Sequence, residues 1–381
     1  MTFINAQVLN RAGFRKKTKR RIRIKGGINL AEAILAIDVG GGTQDILLYE
    51  EGKPIENCVK MVLPSQTVIV GNRISAATAR GEAVFLNGNL MGGGACVGAI
   101  RRHLNAGLAV YATPDAALTI NDDLKKVEEM GVEITANPPA HVREIAMRDI
   151  DLEALQKALA CFDVELPQKF AVAVQDHGEA IGQSNREFRF QQWRKFIERG
   201  GALEDLAYFD IPFPFTRMRA VQRDLPGALL MDTGSAAIWG ALCDPEVAAA
   251  AETGITIVNI GNQHTVGVLI KGKRIFGLFE HHTRILDGQA VMEYVRKLQA
   301  GTLTHEEVFN SRGHGAYVDP EAKQHSFAGK IVVTGPNRYK IAGEKVYLAA
   351  PFGDMMLTGS FGLIAAYYQK QGKVMPLMPG Y

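Results

Sequence analysis

The clearest hydrophobic pattern in the chain is an apolar run, Ile34 to Ile37, that ends in Asp38, passes through Gly40, Gly41 and Gly42, and resumes from Ile46 to Tyr49. It predicts strand, tight turn, strand. Consecutive glycines let the backbone take positive φ and leave no Cβ above the turn, so backbone N–H groups there can approach a phosphate. Asp38 stands at the strand end, where a carboxylate can hold a hydrated Mg²⁺, and Thr43 and Gln44 offer side-chain hydrogen bonds. The plain alternative is an ordinary glycine hairpin.

The pattern recurs. Ile255 to Ile260 is a second β-branched run, and Asp38-x-Gly40-x-x-Thr43 aligns with Asn259-x-Gly261-x-x-x-Thr265 about 220 residues later. Each copy continues into a strand, a short turn (Glu51-Gly-Lys53, Lys271-Gly-Lys273) and a third strand. Two such copies imply two related halves, since a solenoid would repeat every 20 to 50 residues or so. Two facing loops imply a cleft.

Between the hairpins the pattern alternates: strand at 81–87, helix at 94–105, strand at 108–112, helix at 115–130, strand at 132–135, helix at 151–161 and strand at 169–175. This is α/β rhythm. Residues 178–230 are less regular, with a helix at 187–199 and a Pro-rich stretch at Ile211 to Phe215 near which the first lobe is expected to end. The expected organisation is a basic, disordered extension over 1–32, a first lobe over 33–225, and a second lobe over 226–381 with a connecting helix near 233–243.

Composition changes this picture in three places. At 381 residues and 47% hydrophobic, the chain is long enough for two sheet-and-helix cores, and no apolar run reaches the length that spans a bilayer. A soluble, cytoplasmic protein is expected. Cys58, Cys96, Cys161 and Cys243 stand far apart, which points to a reducing compartment and away from a disulfide framework or a zinc ribbon. Nine basic residues between Arg11 and Lys25, against Glu32 alone, give the first 32 residues about +8 and leave about −5 for the rest, the whole being +3. Nucleic-acid binding is therefore considered for this tail only, beside an unstructured extension and a targeting address.

The chain resembles the actin-like ATPase superfamily, which includes sugar kinases, heat-shock chaperone ATPases and the hydantoinase A-type branch. The resemblance rests on the two hairpins, on Lys330 to Asn337 with its Thr334-Gly335-Pro336 turn, on the small residues of Met231 to Leu242, and on the glycine-rich stretch from Leu348 to Ile364. It implies an α/β, two-lobe, ribonuclease H-like fold with a duplicated strand-hairpin sheet and helices on both faces. It also implies ATP with Mg: Asp38 on the metal, Gly40 to Gln44 on the β- and γ-phosphates, and Asn259, Gly261, Asn262, His264 and Thr265 on the phosphates from the other lobe. Thr334, Gly335, Pro336 and Asn337 would line the adenosine pocket. More narrowly, the chain is similar to a family labelled as related to the pyruvate formate-lyase activating enzyme. That radical chemistry needs a C-x₃-C-x₂-C run for an iron–sulfur cluster, and none is present.

Asn259 stands where the superfamily usually carries Asp, so it supplies no charge to a metal, and Asn262, Gln263 and His264 leave less room than small residues would. The implied activity is slow ATP hydrolysis coupled to lobe closure on a partner or substrate. A small-molecule kinase and a non-catalytic nucleotide sensor or scaffold are the alternatives. In Gln175-Asp-His-Gly178, after an apolar run, Asp176 with His177 is the candidate catalytic base; an Asp capping the next segment is the alternative. Glu280-His-His-Thr283 could hold a metal or an acidic ligand, but adjacent strand residues point to opposite faces. Gly92 to Gly98 could open a helix onto an anion or only allow close packing. His305-Glu-Glu-Val-Phe309 lacks the second His of a zinc-protease helix.

Overall fold

Large apolar side chains on both faces of β1 (Ala33–Val39) and β2 (Thr43–Glu50) require cover above and below, and both strands are almost wholly buried. The computed structural model describes residues 33–376. The expected basic extension, residues 1–32, lies outside the described residues.

The first half continues through β3 (Val59–Pro64), α1 (Gln66–Arg80), β4 (Val84–Gly88), α2 (Gly94–Asn105), β5 (Val110–Ala112), α3 (Pro114–Ala117), α4 (Leu124–Glu129), β6 (Val132–Ile134), β7 (Arg143–Met147), α5 (Leu152–Ala160) and β8 (Lys169–Val174). Then come α6 (Asn185–Glu198), β9 (Ala207–Tyr208), α7 (Thr216–Asp224) and β10 (Leu229–Met231). The second half comprises α8 (Thr233–Ala241), α9 (Pro245–Ala251), β11 (Ile255–Ile260), β12 (His264–Lys271), β13 (Arg274–His282), α10 (Gly288–Gln299), α11 (His305–Asn310), β14 (Gly315–Val318), β15 (Ile331–Thr334), β16 (Tyr347–Leu348) and α12 (Thr358–Lys370).

Two six-stranded sheets share one plan. The first runs β3-β2-β1-β8-β10-β9 and the second β14-β13-β12-β11-β15-β16. In each, the opening strand begins an antiparallel meander and takes a parallel partner on its other side, β8 beside β1 and β15 beside β11. This duplicated topology is the two-lobe actin-like fold. A third sheet, β6-β5-β4-β7, is parallel throughout and has its own apolar core with α1 and α2. The α/β alternation was legible there, but not that these strands leave the main sheet while β8 returns to it.

The helix expected at 115–130 divides into α3 and α4, because Thr113 caps one and Asp123 the other. Between the two large sheets lie α8 and α12. A Cβ on Gly240 would stand 1.7 Å from the Thr358 carbonyl oxygen, and one on Gly362 2.0 Å from that of Ala236. The small residues noted in both segments therefore let two helix backbones meet, and the inner faces of both sheets close on them as one core.

Candidate functional site

The two hairpin turns are the same length. Gly40 N donates to Thr43 O at 2.8 Å and Gly261 N donates to His264 O at 2.9 Å. Register pairs Val39 with Gln44 and Ile260 with Thr265, so His264, not Thr265, occupies the place of Thr43. The sequence alignment, which allowed the second loop one extra residue, is corrected by one position. Because strand side chains alternate, Gln44 and Thr265 share the face turned away from the turn. Gln44 Nε2 donates to Pro64 O at 2.9 Å, and Thr265 Oγ1 lies 3.0 Å from Thr283 Oγ1.

None of Gly40, Gly41 and Gly42 uses the positive φ that glycine permits. Space is what requires glycine here. A Cβ on Gly41 would lie 2.0 Å from Gln263 Nε2, and one on Gly42 3.2 Å from Asn262 Nδ2. The turns of the two halves thus touch, with polar side chains of the second filling the gap above the first.

Around this contact is a cavity of about 310 Å³. Asp38, Gly40, Gly41, Thr43, Asp45, Asp176, His177, Asn259, Gly261, Asn262, His264, Thr334, Gly335 and Pro336 all line it, whereas Gly42, Gln44, Thr265 and Asn337 do not. Asp38 Oδ1 is buried without a partner. Burial first, then the neighbouring charges of Asp45 and Asp232, raise the Asp38 carboxyl well above its ordinary range. Burial likewise pushes Asp45 up to about 7, against a hydrogen bond from Thr43. An orphaned carboxylate oxygen beside a second buried carboxylate suits a hard divalent cation such as Mg²⁺. Gly359, at the start of α12, is confined by Asp38: a Cβ there would lie 1.9 Å from Asp38 Oδ2.

On another wall, Gly335 takes a φ of +94°, and a Cβ there would stand 2.5 Å from Ile260 O. Its lack of a side chain keeps the Thr334 to Pro336 bend against β11, near Met355 and Met356. Asn337 instead braces the second turn, donating from Nδ2 to Gly261 O at 3.0 Å. Gly92 to Gly94 line the cleft at the start of α2, where Gly92 N donates to Asp149 Oδ1 and Cys96 N to Thr67 Oγ1.

Asp176 is buried, and both oxygens are held: Oδ1 accepts from Gly178 N and Oδ2 from Met218 N, each at 2.8 Å. Oδ2 thus satisfies a first-turn N–H of α7, and not the start of the next helix, α6, which Ser184 caps. Burial nevertheless raises the Asp176 carboxyl to about 6. His177 points into a group of imidazoles with His264, His282 and His314, and burial lowers it to about 3. In the Glu280-His-His segment alternation separates the side chains. Nε2 of His281 lies 3.1 Å from Ser311 O and Oγ, while His282 joins the imidazoles. Glu280, fully buried, takes Arg189 Nε at 2.9 and 2.8 Å and Trp193 Nε1 at 3.2 Å. Arg189 also donates to Asp232 from both terminal nitrogens, at 2.8 and 3.1 Å.

Sequence reasoning did not single out Asp45, Arg189, Asp232, Gly359 or His314. Alternation from Asp38 across the hairpin could have found Asp45. The others come from distant elements and carry no local signal.

Duplicated sheets whose corresponding turns meet over a polar cleft define a two-lobed protein of the actin-like ATPase fold. A family profile described as "Putative pyruvate format-lyase activating enzyme (DUF1786)" matches residues 91–340, and the chain belongs to that family. Similar solved structures include a Bacteroides thetaiotaomicron protein with actin-like ATPase fold and unknown function, at 7% identity over 87% of this chain and 96% of that one, with a TM-score of 0.36. Another is the MreB5 protein of Spiroplasma citri bound to ADP, at 10% identity over 87% and 95%, TM-score 0.30. A third is a ROK family glucokinase from Streptomyces griseus in complex with glucose and AMPPNP, at 13% identity over 87% and 97%, TM-score 0.28. No curated protein matches. The cysteines do not fit the iron–sulfur chemistry of the family description, since all four are free and no three of them gather. No described helix is long and apolar enough to cross a membrane.

Proposed function

We propose that the cleft binds ATP or ADP with Mg²⁺, held between the two turns as lobes 33–225 and 226–381 close, and that any hydrolysis is slow. The observation that carries this reading is the orphaned Oδ1 of Asp38, just before a glycine turn that directly faces its counterpart turn. In this assignment Asp38 holds the metal, Gly40 to Thr43 the β- and γ-phosphates, and Gly261, Asn262 and His264 the phosphates from the second lobe. Thr334 to Pro336 line the adenosine side. Slow turnover is argued from Asn259, which contributes no charge opposite Asp38, and from Asp176, whose oxygens are both committed to backbone N–H groups.

Those same two residues favour a second reading, a nucleotide sensor or scaffold that binds without turnover. Calorimetric binding of a non-hydrolysable ATP analogue, run beside a phosphate-release assay, separates the two. Slow release with binding supports the ATPase, and binding without release supports the sensor. If millimolar Mg·ATP and Mg·ADP change neither the heat of mixing nor the melting curve, both readings fall.

A further inference from the structure

The imidazoles beside the cleft are arranged by the sheet itself. His264 opens β12 directly opposite His282, the last residue of β13. His314 N donates to Glu280 O at 2.9 Å, which fixes His314 just before β14. Three neighbouring strand ends of the second sheet therefore present histidines to one side. His177 follows β8 of the first sheet and meets them there. Ligating nitrogens of His177, His264 and His314 all lie within 4.8 Å of one another.

This cluster is unsatisfied. Both ring nitrogens of His264 and both of His314 are buried without any hydrogen-bond partner. A neutral imidazole carries one donor and one acceptor, and a buried group left unpaired keeps its desolvation penalty with nothing to offset it. Stacking alone does not offset that cost. The carboxylate of Glu280, close to the rings, is occupied by Arg189 and Trp193, and the three grouped side chains offer nitrogen only. Nitrogen-only sites select borderline transition ions, whereas Mg²⁺ and Ca²⁺ need oxygen.

We propose that His177, His264 and His314 form a binding site for one divalent transition-metal ion of the zinc type, tying the two sheets together. Zn–N bonds of about 2.0–2.1 Å put tetrahedral ligands about 3.3 Å apart, so the trio must close by up to about 1.5 Å. None of the three rings is anchored by a hydrogen bond among the described residues, so turning a ring toward the ion breaks none. Three histidines leave a fourth coordination position, and His177 and His264 also line the cleft, so a further ligand enters from that side. Glu280 and Asp232 offset the Arg189 charge nearby. This site shares none of its residues with the proposed Mg²⁺ at Asp38, but it takes the His264 ring from the turn assigned above to phosphate, so it is tested without nucleotide and stands or falls apart from that reading.

The test uses the full chain, stripped with a chelator and kept free of nucleotide and Mg²⁺, titrated with Zn²⁺ by calorimetry and with Co²⁺ by visible absorption. The expected result is one ion per chain at about micromolar Kd or tighter, a Co²⁺ band of nitrogen-ligated low-coordinate type, and a raised melting temperature. His177→Ala and His314→Phe are each expected to weaken binding by about 100-fold or more, beyond the 10–100-fold typical of outer-shell changes. His325→Ala, a histidine outside the cluster, is expected to leave it unchanged. If His314→Phe does not fold, His177→Ala, in a loop and only partly buried, decides alone. Binding weaker than millimolar, or equal affinity in the parent and the His177 variant, overturns the proposal.

Discussion

Gln263 of the second turn stands over Gly41 of the first, its Nε2 only 2.0 Å from where a Cβ on Gly41 would be. In the proposed nucleotide reading, the place of a phosphate is thus filled by an amide from the opposite half. Gln263→Ala is expected to strengthen Mg·ADP binding by about tenfold, since a ligand no longer displaces that side chain; a factor of ten corresponds to about 1.4 kcal/mol. Gly41→Val is expected to abolish it. Calorimetry on both variants checks the pair, and weaker binding in Gln263→Ala would mean that the amide is a ligand contact and not a plug.

Asp38 carries the metal in the nucleotide reading. Asp38→Asn keeps shape and removes charge, so Mg-dependent ATP affinity is expected to fall by roughly 1–3 kcal/mol, the range for a charged hydrogen-bonding partner. The ligand-free melting temperature should not fall, because the carboxylate is costly where it sits. Unchanged Mg·ATP affinity would remove Asp38 from the site.

Asp45 provides a pH test. Its folded carboxyl is raised from the ordinary 3.8 to about 7, chiefly by burial. Between these values the folded state keeps a proton that the unfolded state has lost, so stability is fully present below about pH 4 and is lost as pH rises through 7. Asp45→Asn mimics the protonated form. In Mg²⁺-free buffer it is expected to be close to neutral at pH 4 and stabilising at pH 8. With one pKa unit worth about 1.4 kcal/mol, the gain is on the order of a few kcal/mol. Urea unfolding of parent and variant at both pH values measures the difference directly, which cancels the opposing titration of the buried histidines. An equal difference at the two pH values would refute the assignment.

Arg189 joins α6 to β13 and to the start of α8 through Glu280 and Asp232. Arg189→Met leaves two buried carboxylates without a charged partner, Glu280 keeping only Trp193 Nε1 and Asp232 only backbone N–H groups, and breaking such a pair costs about 3–5 kcal/mol. Adding Glu280→Gln should recover part of that loss, since one stranded charge is then gone. Denaturant unfolding of the single and double variants reads the coupling; additive losses would show that the pair does not interact.

How much of this was legible depended on how far apart the interacting residues lie in the chain. Both hairpins, the duplication and the helix-packing glycines of α8 and α12 are local patterns, read from apolar runs broken by small residues. The exact correspondence of the second turn was misread by one residue, because Thr265 is a more familiar match for Thr43 than His264 is; only the strand register corrected it. The helix α1 was missed, as Thr67-Val-Ile-Val70 is β-branched and its helical state comes from packing against α2.

Sequence alone determined the duplicated α/β plan and the polar residues at both turns, because hydrophobic periodicity and glycine placement act over a few neighbouring positions. Tertiary structure decided the rest. It set Gln263 over Gly41, tied Arg189 to Glu280 and Asp232, and gathered His177, His264 and His314 from segments 50 to 137 residues apart. No local pattern encodes such meetings: they arise when two sheets close on the shared helices α8 and α12, and burial then sets which polar groups find a partner and which are left without one.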